Sequence, residues 1–139
     1  MYVSRHFILT SLLAIMLFPI YKFKVLLLFV FGFFIDVDHY LHDLFKYKVS
    51  LKKSYLMHMN KNITLKDQLH IFHVVEFWIL ALILTIIFYN DLTLLLFTGL
   101  IFHLSLDFIY QAYNKDYIKH TRALSLTAWL IRHKKKLML

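Results

Sequence analysis

An all-α bundle of four transmembrane helices, with a cytoplasmic linker and an interfacial basic C-terminal helix, is the fold this sequence predicts. Three observations predict it. Of 139 residues, 60% are hydrophobic and only two are glycine and one proline, a composition outside that of ordinary soluble domains. The apolar residues gather into four segments, roughly 6–20, 25–45, 69–89 and 92–113, and none alternates with the period of two that a barrel strand needs. Lysine and arginine stand at the margins of these segments rather than along one polar face.

Segment 6–20 follows Arg5 and resembles a signal peptide, but no small-x-small cleavage site comes after it, so a retained helix is expected. Segment 25–45 ends in a run of acids and histidines. The linker 46–68 is the only long one and is expected to carry a short surface helix. Segments 69–89 and 92–113 are joined by Asn90-Asp91, a turn short enough to make them antiparallel neighbours. None of the four is a clean run of about 20 apolar residues, the length that spans a bilayer; each has one polar end. In the tail 114–139, Lys115, Lys119, Arg122 and Arg132 flank an apolar run with Trp129, which suits a helix lying on anionic lipid. The whole of 1–139 is expected to be a single integral membrane domain.

The formal charge is +8. Its placement argues for lipid headgroups as partners and against nucleic acid. With four spans, 14 of the 16 basic residues fall on one side and only Lys22 and Lys24 on the other. The positive-inside rule then puts both termini and the linker in the cytoplasm, in a protein integral to the cytoplasmic membrane. Asn62-Ile-Thr64 lies on the wrong side for glycosylation. Oligomeric state stays open. Cysteine is absent, which leaves imidazole and carboxylate as the strong metal ligands.

The polar residues inside apolar segments carry the chemistry. Gly32 to Asp43 delivers Asp36, Asp38, His39, His42 and Asp43 at the end of an apolar run, and one charge in hydrocarbon costs on the order of 2.5–3.5 kcal/mol even on insertion scales. A cation would offset that cost. On an unbroken helix, Asp36, His39 and Asp43 share a face and Asp38 pairs with His42 on nearly the opposite one. Asp36 and His39 are therefore expected as ligands, Asp38 as a bridging or supporting group, and His42 and Asp43 near the headgroups. His103 and Asp107 are spaced i, i+4, which sets imidazole beside carboxylate, with Gly99 one turn earlier for close helix approach. His70, His73 and Glu76 step by three: His73 shares a site with either neighbour, and Glu76 is either a ligand or a general base. His6 opens the first helix. The topology brings all these groups to one depth, the cytoplasmic margin. His58, His120 and His133 are left unassigned.

His6, Asp36-Val-Asp38-His39, His70-Ile-Phe-His73 and the run Gly99 to Asp107 together resemble the family of predicted membrane-bound metal-dependent hydrolases, also described as LexA-binding and inner-membrane-associated. The resemblance spans about residues 6–110. It departs at the middle motif, which in the family usually reads H-R-G-x-T-H-S and here reads His70-Ile-Phe-His73-Val-Val-Glu76, so the second position falls to His73 or Glu76. More loosely, the pattern is similar to helical zinc phospholipase C and nuclease enzymes. The resemblance implies hydrolysis, of a phosphoester by the looser likeness; nothing in the chain speaks for a LexA partner.

The expected function is accordingly a membrane-embedded, metal-dependent hydrolase of a phosphoester or lipid-headgroup substrate at the cytoplasmic face. One or two divalent ions, zinc first with manganese or iron as alternatives, would be held by His6, Asp36, Asp38, His39, His70, His73, His103 and Asp107, with Asp38 or Glu76 taking the proton. Arg5, Lys66 or Lys115 would attract a substrate phosphate. A transport or sensor protein binding the same ions without hydrolysis is the alternative, and a structural subunit whose His and Asp only hydrogen-bond is the third.

Overall fold

The computed structural model describes residues 3–48, 50–59, 69–114 and 124–137. Asn62, Lys66, Lys115, Lys119, His120 and Arg122 lie outside the described residues. The described chain is all-helical: α1 Val3–Tyr21, α2 Leu28–Gly32, α3 Val37–Tyr47, α4 Leu51–Met59, α5 Val75–Ile87, α6 Asp91–Asn114 and α7 Leu126–Leu137, with 3-10 turns at Lys22–Leu27, Phe34–Asp36 and Ile71–His73. Helix α4 is the short helix expected in the linker.

The main departures are two interruptions. The expected helix 25–45 is realised as a 3-10 turn, α2, a second 3-10 turn and α3. Phe33, at φ −134° and ψ −52°, leaves helical geometry, and Asp36 ends a 3-10 turn while His39 lies in α3, so the single unbroken helix that the phase of Asp36 and His39 assumed is not present. The segment before α5 is likewise not α-helical. His70 and Val74 are extended and only 71–73 turn, so a helical step of three does not relate His70, His73 and Glu76.

Two compact units are distinguishable, one comprising Met1–Asp36 with Ile79–Lys115 and the other Val37–Trp78 with Asp116–Leu139. In the first, α1 ends with Lys22 in the left-handed region at φ 52°, a conformation that turns the chain back at a cost of about 1–2 kcal/mol for a side chain with a Cβ. A small core of Ala14, Val25, Leu28 and Leu95 follows. Lys24 Nζ donates to Asp91 Oδ2 at 2.7 Å, an exposed pair of the kind that contributes roughly 0.2–1 kcal/mol. Asn90 caps α6, its Oδ1 accepting from Leu92 N–H at 2.8 Å and Thr93 N–H at 3.2 Å. Asn90→Ala should therefore cost about 0.5–2 kcal/mol, read as a lowered thermal midpoint in detergent.

The second unit contains α3, α4 and α7. Asp43, expected near headgroups, is instead buried and accepts from Ser54 Oγ at 2.7 Å. This places a short hydroxyl of α4 against α3 as a partner for the acid. Ser125 caps α7 by accepting from Ala128 N–H at 3.2 Å.

Burial is inverted relative to a soluble protein. Among the described residues, eleven buried residues are polar or charged and seven are apolar, while Ile8, Leu12, Ile15, Met16, Ile86, Ile87 and Phe108 are more than half exposed. Soluble monomers rarely expose apolar surface on this scale. The stretches Val3–Phe45 and Asp91–Tyr113 are long and apolar enough to cross a membrane, whereas Val75–Ile87 is apolar but shorter.

Candidate metal centres

The buried polar residues form one cluster in each unit. In the first unit the glycines make the cluster possible. A Cβ on Gly99 would lie 2.5 Å from Leu28 O, and one on Gly32 would lie 2.9 Å from Thr10 Cγ2, so α6 approaches α2 at backbone distance and α1 sets the Thr10 side chain against Gly32. Because α2 stops at Gly32, the carbonyl of Gly32 accepts from Thr10 Oγ1 at 3.0 Å and from His103 Nδ1 at 3.2 Å. A carbonyl only accepts, so Nδ1 of His103 carries a hydrogen, and in the neutral ring Nε2 is the lone-pair position.

That nitrogen faces Asp36 Oδ1 at 3.4 Å and Asp107 Oδ2 at 4.0 Å. His6, stacked on His103 with ring centroids 3.9 Å apart, sets its Nε2 3.1 Å from Asp107 Oδ1 and 4.0 Å from Asp36 Oδ2. Two imidazoles and two carboxylates thus converge from α1, the 3-10 turn and α6. His6 Nδ1 is buried with no hydrogen-bond partner among the described residues. His6 Nε2 hydrogen-bonds to Asp107 Oδ1, and an imidazole that gives an N–H to a backbone carbonyl, as His103 does, is the usual form of a metal-ligating histidine.

In the second unit, Asp38 lies in the first turn of α3. Its Oδ2 accepts from Phe72 N–H and from His73 Nδ1, both at 3.3 Å. Its Oδ1 is buried and has no hydrogen-bond partner among the described residues. That oxygen lies 3.8 Å from His39 Nδ1 and 4.0 Å from His70 Nδ1, and the two nitrogens are 2.9 Å apart. The circle through three points has a radius equal to the product of the sides over four times the area. For these sides it is about 2.1 Å, which matches zinc–imidazole and zinc–carboxylate bond lengths of about 2.0–2.2 Å.

The buried His/Asp clusters can hold a metal ion: His6, Asp36 and His103 form one candidate group, and Asp38, His39 and His70 another. No family model matches this chain, and no curated protein or solved structure does either.

The donor set is imidazole and carboxylate, which suits zinc, manganese or iron and does not choose among them. Of the residues singled out in the sequence, His6, Asp36, His103 and Asp107 come together in the first unit, and Asp38, His39, His70 and His73 in the second. Glu76 is engaged elsewhere. Its carboxylate accepts from Ser125 Oγ at 2.6 Å, Leu126 N–H at 3.0 Å and Thr127 N–H at 3.1 Å, capping the start of α7, where the helix dipole favours an anion. His42 Nδ1 lies 3.5 Å from Asp43 Oδ1. His133 stacks on Trp129 with centroids 3.9 Å apart. Arg5 lies over the Tyr110 ring at 5.8 Å.

Sequence reasoning missed Thr10, the Gly32 carbonyl and the Phe72 N–H as orienting groups. Thr10 alone carried a signal, as a hydroxyl one helical turn from His6 on an otherwise apolar helix.

Proposed function

We propose that this chain is an integral membrane hydrolase working with divalent ions held at its two His/Asp clusters, on a phosphoester or lipid-headgroup substrate. The arrangement of Asp38, His39 and His70 carries this reading: three donor atoms stand at bonding distance from one common point, and the carboxylate is fixed by its other oxygen. Asp38, His39 and His70 would hold the divalent ion, which would supply Lewis-acid activation of the substrate and of water. Asp38 holds His73 through Oδ2, and its Oδ1 would be the oxygen offered to the ion. His73, held through Nδ1 by a carboxylate, has the form of a general base.

The exposed apolar surface supports a membrane setting. With four spans, the shorter Val75–Ile87 as one crossing, the charge distribution favours both termini in the cytoplasm. Arg5 and the basic tail would favour anionic headgroups there.

The interrupted helix at 33–36 favours the second reading, since unwound segments line transporter sites. Here the carbonyl freed by that break is occupied by Thr10 and His103, which argues for an orienting role rather than an ion path.

Purified in detergent and loaded with zinc or manganese, the protein should turn over a phosphodiester, phosphomonoester or phospholipid. His73→Gln should keep its metal content and lose activity by about 10²–10⁴-fold, the usual contribution of a positioned acid–base group. No turnover by the wild type, or equal turnover by both proteins, would sink the hydrolase reading.

A further inference from the structure

We infer that Trp78 is a positioning residue of the Asp38/His39/His70 centre: its indole N–H holds the peptide between Phe72 and His73, and so sets where His70 and Asp38 present their donor atoms. This rests on the reading above that the centre binds a divalent ion. The turn that brings in His70 and His73 is weak by itself. Only Ile71–His73 turn, between His70 and Val74 in extended geometry, and a 3-10 turn has poorer hydrogen-bond geometry than an α-helix. Its position depends on groups outside it.

One peptide unit lies at the middle of those contacts. The oxygen of Phe72 accepts from Trp78 Nε1–H at 3.2 Å, and on the other side of the same bond the His73 N–H donates to His70 O at 3.0 Å. A peptide is planar, so gripping its oxygen fixes the direction of its N–H, and a hydrogen bond accepted at the oxygen strengthens the one donated at the nitrogen. The preceding peptide is held as well: Phe72 N–H donates to Asp38 Oδ2 at 3.3 Å, the oxygen that also faces His73 Nδ1 at 3.3 Å. Trp78 is itself anchored in the first turn of α5, its backbone N–H donating to Val74 O at 3.4 Å, and beside it the Phe77 ring packs edge-on against Phe72 with centroids 5.1 Å apart. The start of α5 thus reaches back to set the turn that precedes it. A shift of that turn moves His70 Nδ1, which stands 2.9 Å from His39 Nδ1, and metal–ligand bonds tolerate only about 0.2 Å. An aromatic ring at the start of an apolar helix has another use, packing at the membrane edge, but that use needs the ring and not a bond to Phe72 O.

The test measures metal binding rather than turnover, in the full chain stripped with chelator and held in detergent. Cobalt(II) is the probe, and the part of its visible absorption that His39→Gln removes belongs to this centre. Trp78→Phe, which keeps an aromatic ring and loses the N–H, should weaken that component about 10-fold, the lower end of what loss of a ligand-orienting partner costs, and shift its bands while the rest of the spectrum stays. Replacement of Trp78 by 3-benzothienylalanine, which has the shape of tryptophan with sulfur in place of N–H, should do the same, and keeps the packing if Trp78→Phe does not fold. Wild-type affinity and bands in the sulfur analogue, or a lowered thermal midpoint in both variants with cobalt binding unchanged, would overturn the positioning role and leave the metal centre and the hydrolase reading standing. A cobalt spectrum that His39→Gln leaves intact would instead overturn the metal reading of this centre, and the role of Trp78 with it.

Discussion

Asp38→Ala is expected to lower the proposed hydrolytic activity by about 10³-fold. Two contributions combine. The substitution removes the carboxylate oxygen that stands 3.8 Å and 4.0 Å from the two Nδ1 atoms, and with it the anchor of His73 at 3.3 Å. Loss of groups that orient metal ligands typically costs 10–100-fold, and loss of a positioned base about 10²–10⁴-fold; the two overlap, so the product is an upper bound. Steady-state kinetics at saturating metal should show the fall in kcat, and metal analysis should show one ion missing. Glu76→Gln is the contrasting case. Its carboxylate is committed to Ser125, Leu126 and Thr127, so it should retain hydrolysis and lower only the thermal midpoint. Equal losses in the two variants would return Glu76 to the role of base.

Gly99→Ala should destabilise the fold by about 1–3 kcal/mol, as forced overpacking does. Helix propensity argues the other way, since alanine gains about 1 kcal/mol over glycine inside a helix. The geometry decides the sign. The added Cβ would stand 2.5 Å from Leu28 O and 3.2 Å from Gly32 N, both backbone atoms that no rotamer change can move. To accept it, α6 must shift from α2, and the His103 bond to Gly32 O at 3.2 Å lengthens with it. Gly32→Ala meets Thr10 Cγ2 at 2.9 Å, a side chain that can rotate at the loss of its own bond to Gly32 O, so it should cost less. Thermal unfolding followed by circular dichroism would rank the two; a midpoint for Gly99→Ala at or above that of the wild type would mean that α2 and α6 are not held at this distance.

The helical class, the four apolar segments and the residue types of the site were readable along the chain, because each rests on local patterning: apolar run length, the lack of a two-residue period, and acids and histidines where lipid-facing residues were expected. Asn90 was readable as a turn for the same reason. What was misplaced depended on helix continuity. A phase argument assigns Asp36 and His39 to one face only if one α-helix runs through both, and it relates His70 to Glu76 only if the whole of 70–76 is α-helical. Neither break has a proline to announce it. Gly32 is the only local hint, and glycine inside an apolar run reads equally well as a close helix contact.

The sequence by itself determined that His6, Asp36, Asp38, His39, His70, His73, His103 and Asp107 stand as chemically exceptional residues in apolar surroundings, since burying such groups is costly wherever they lie. Only the tertiary structure decided how they are grouped and oriented. The carbonyl of Gly32 fixes the His103 ring, Phe72 N–H and His73 fix Asp38, and the N-terminus of α7 claims Glu76. Each of these partners is set by backbone groups and by distances between segments far apart in the chain, and no periodicity in the sequence encodes them.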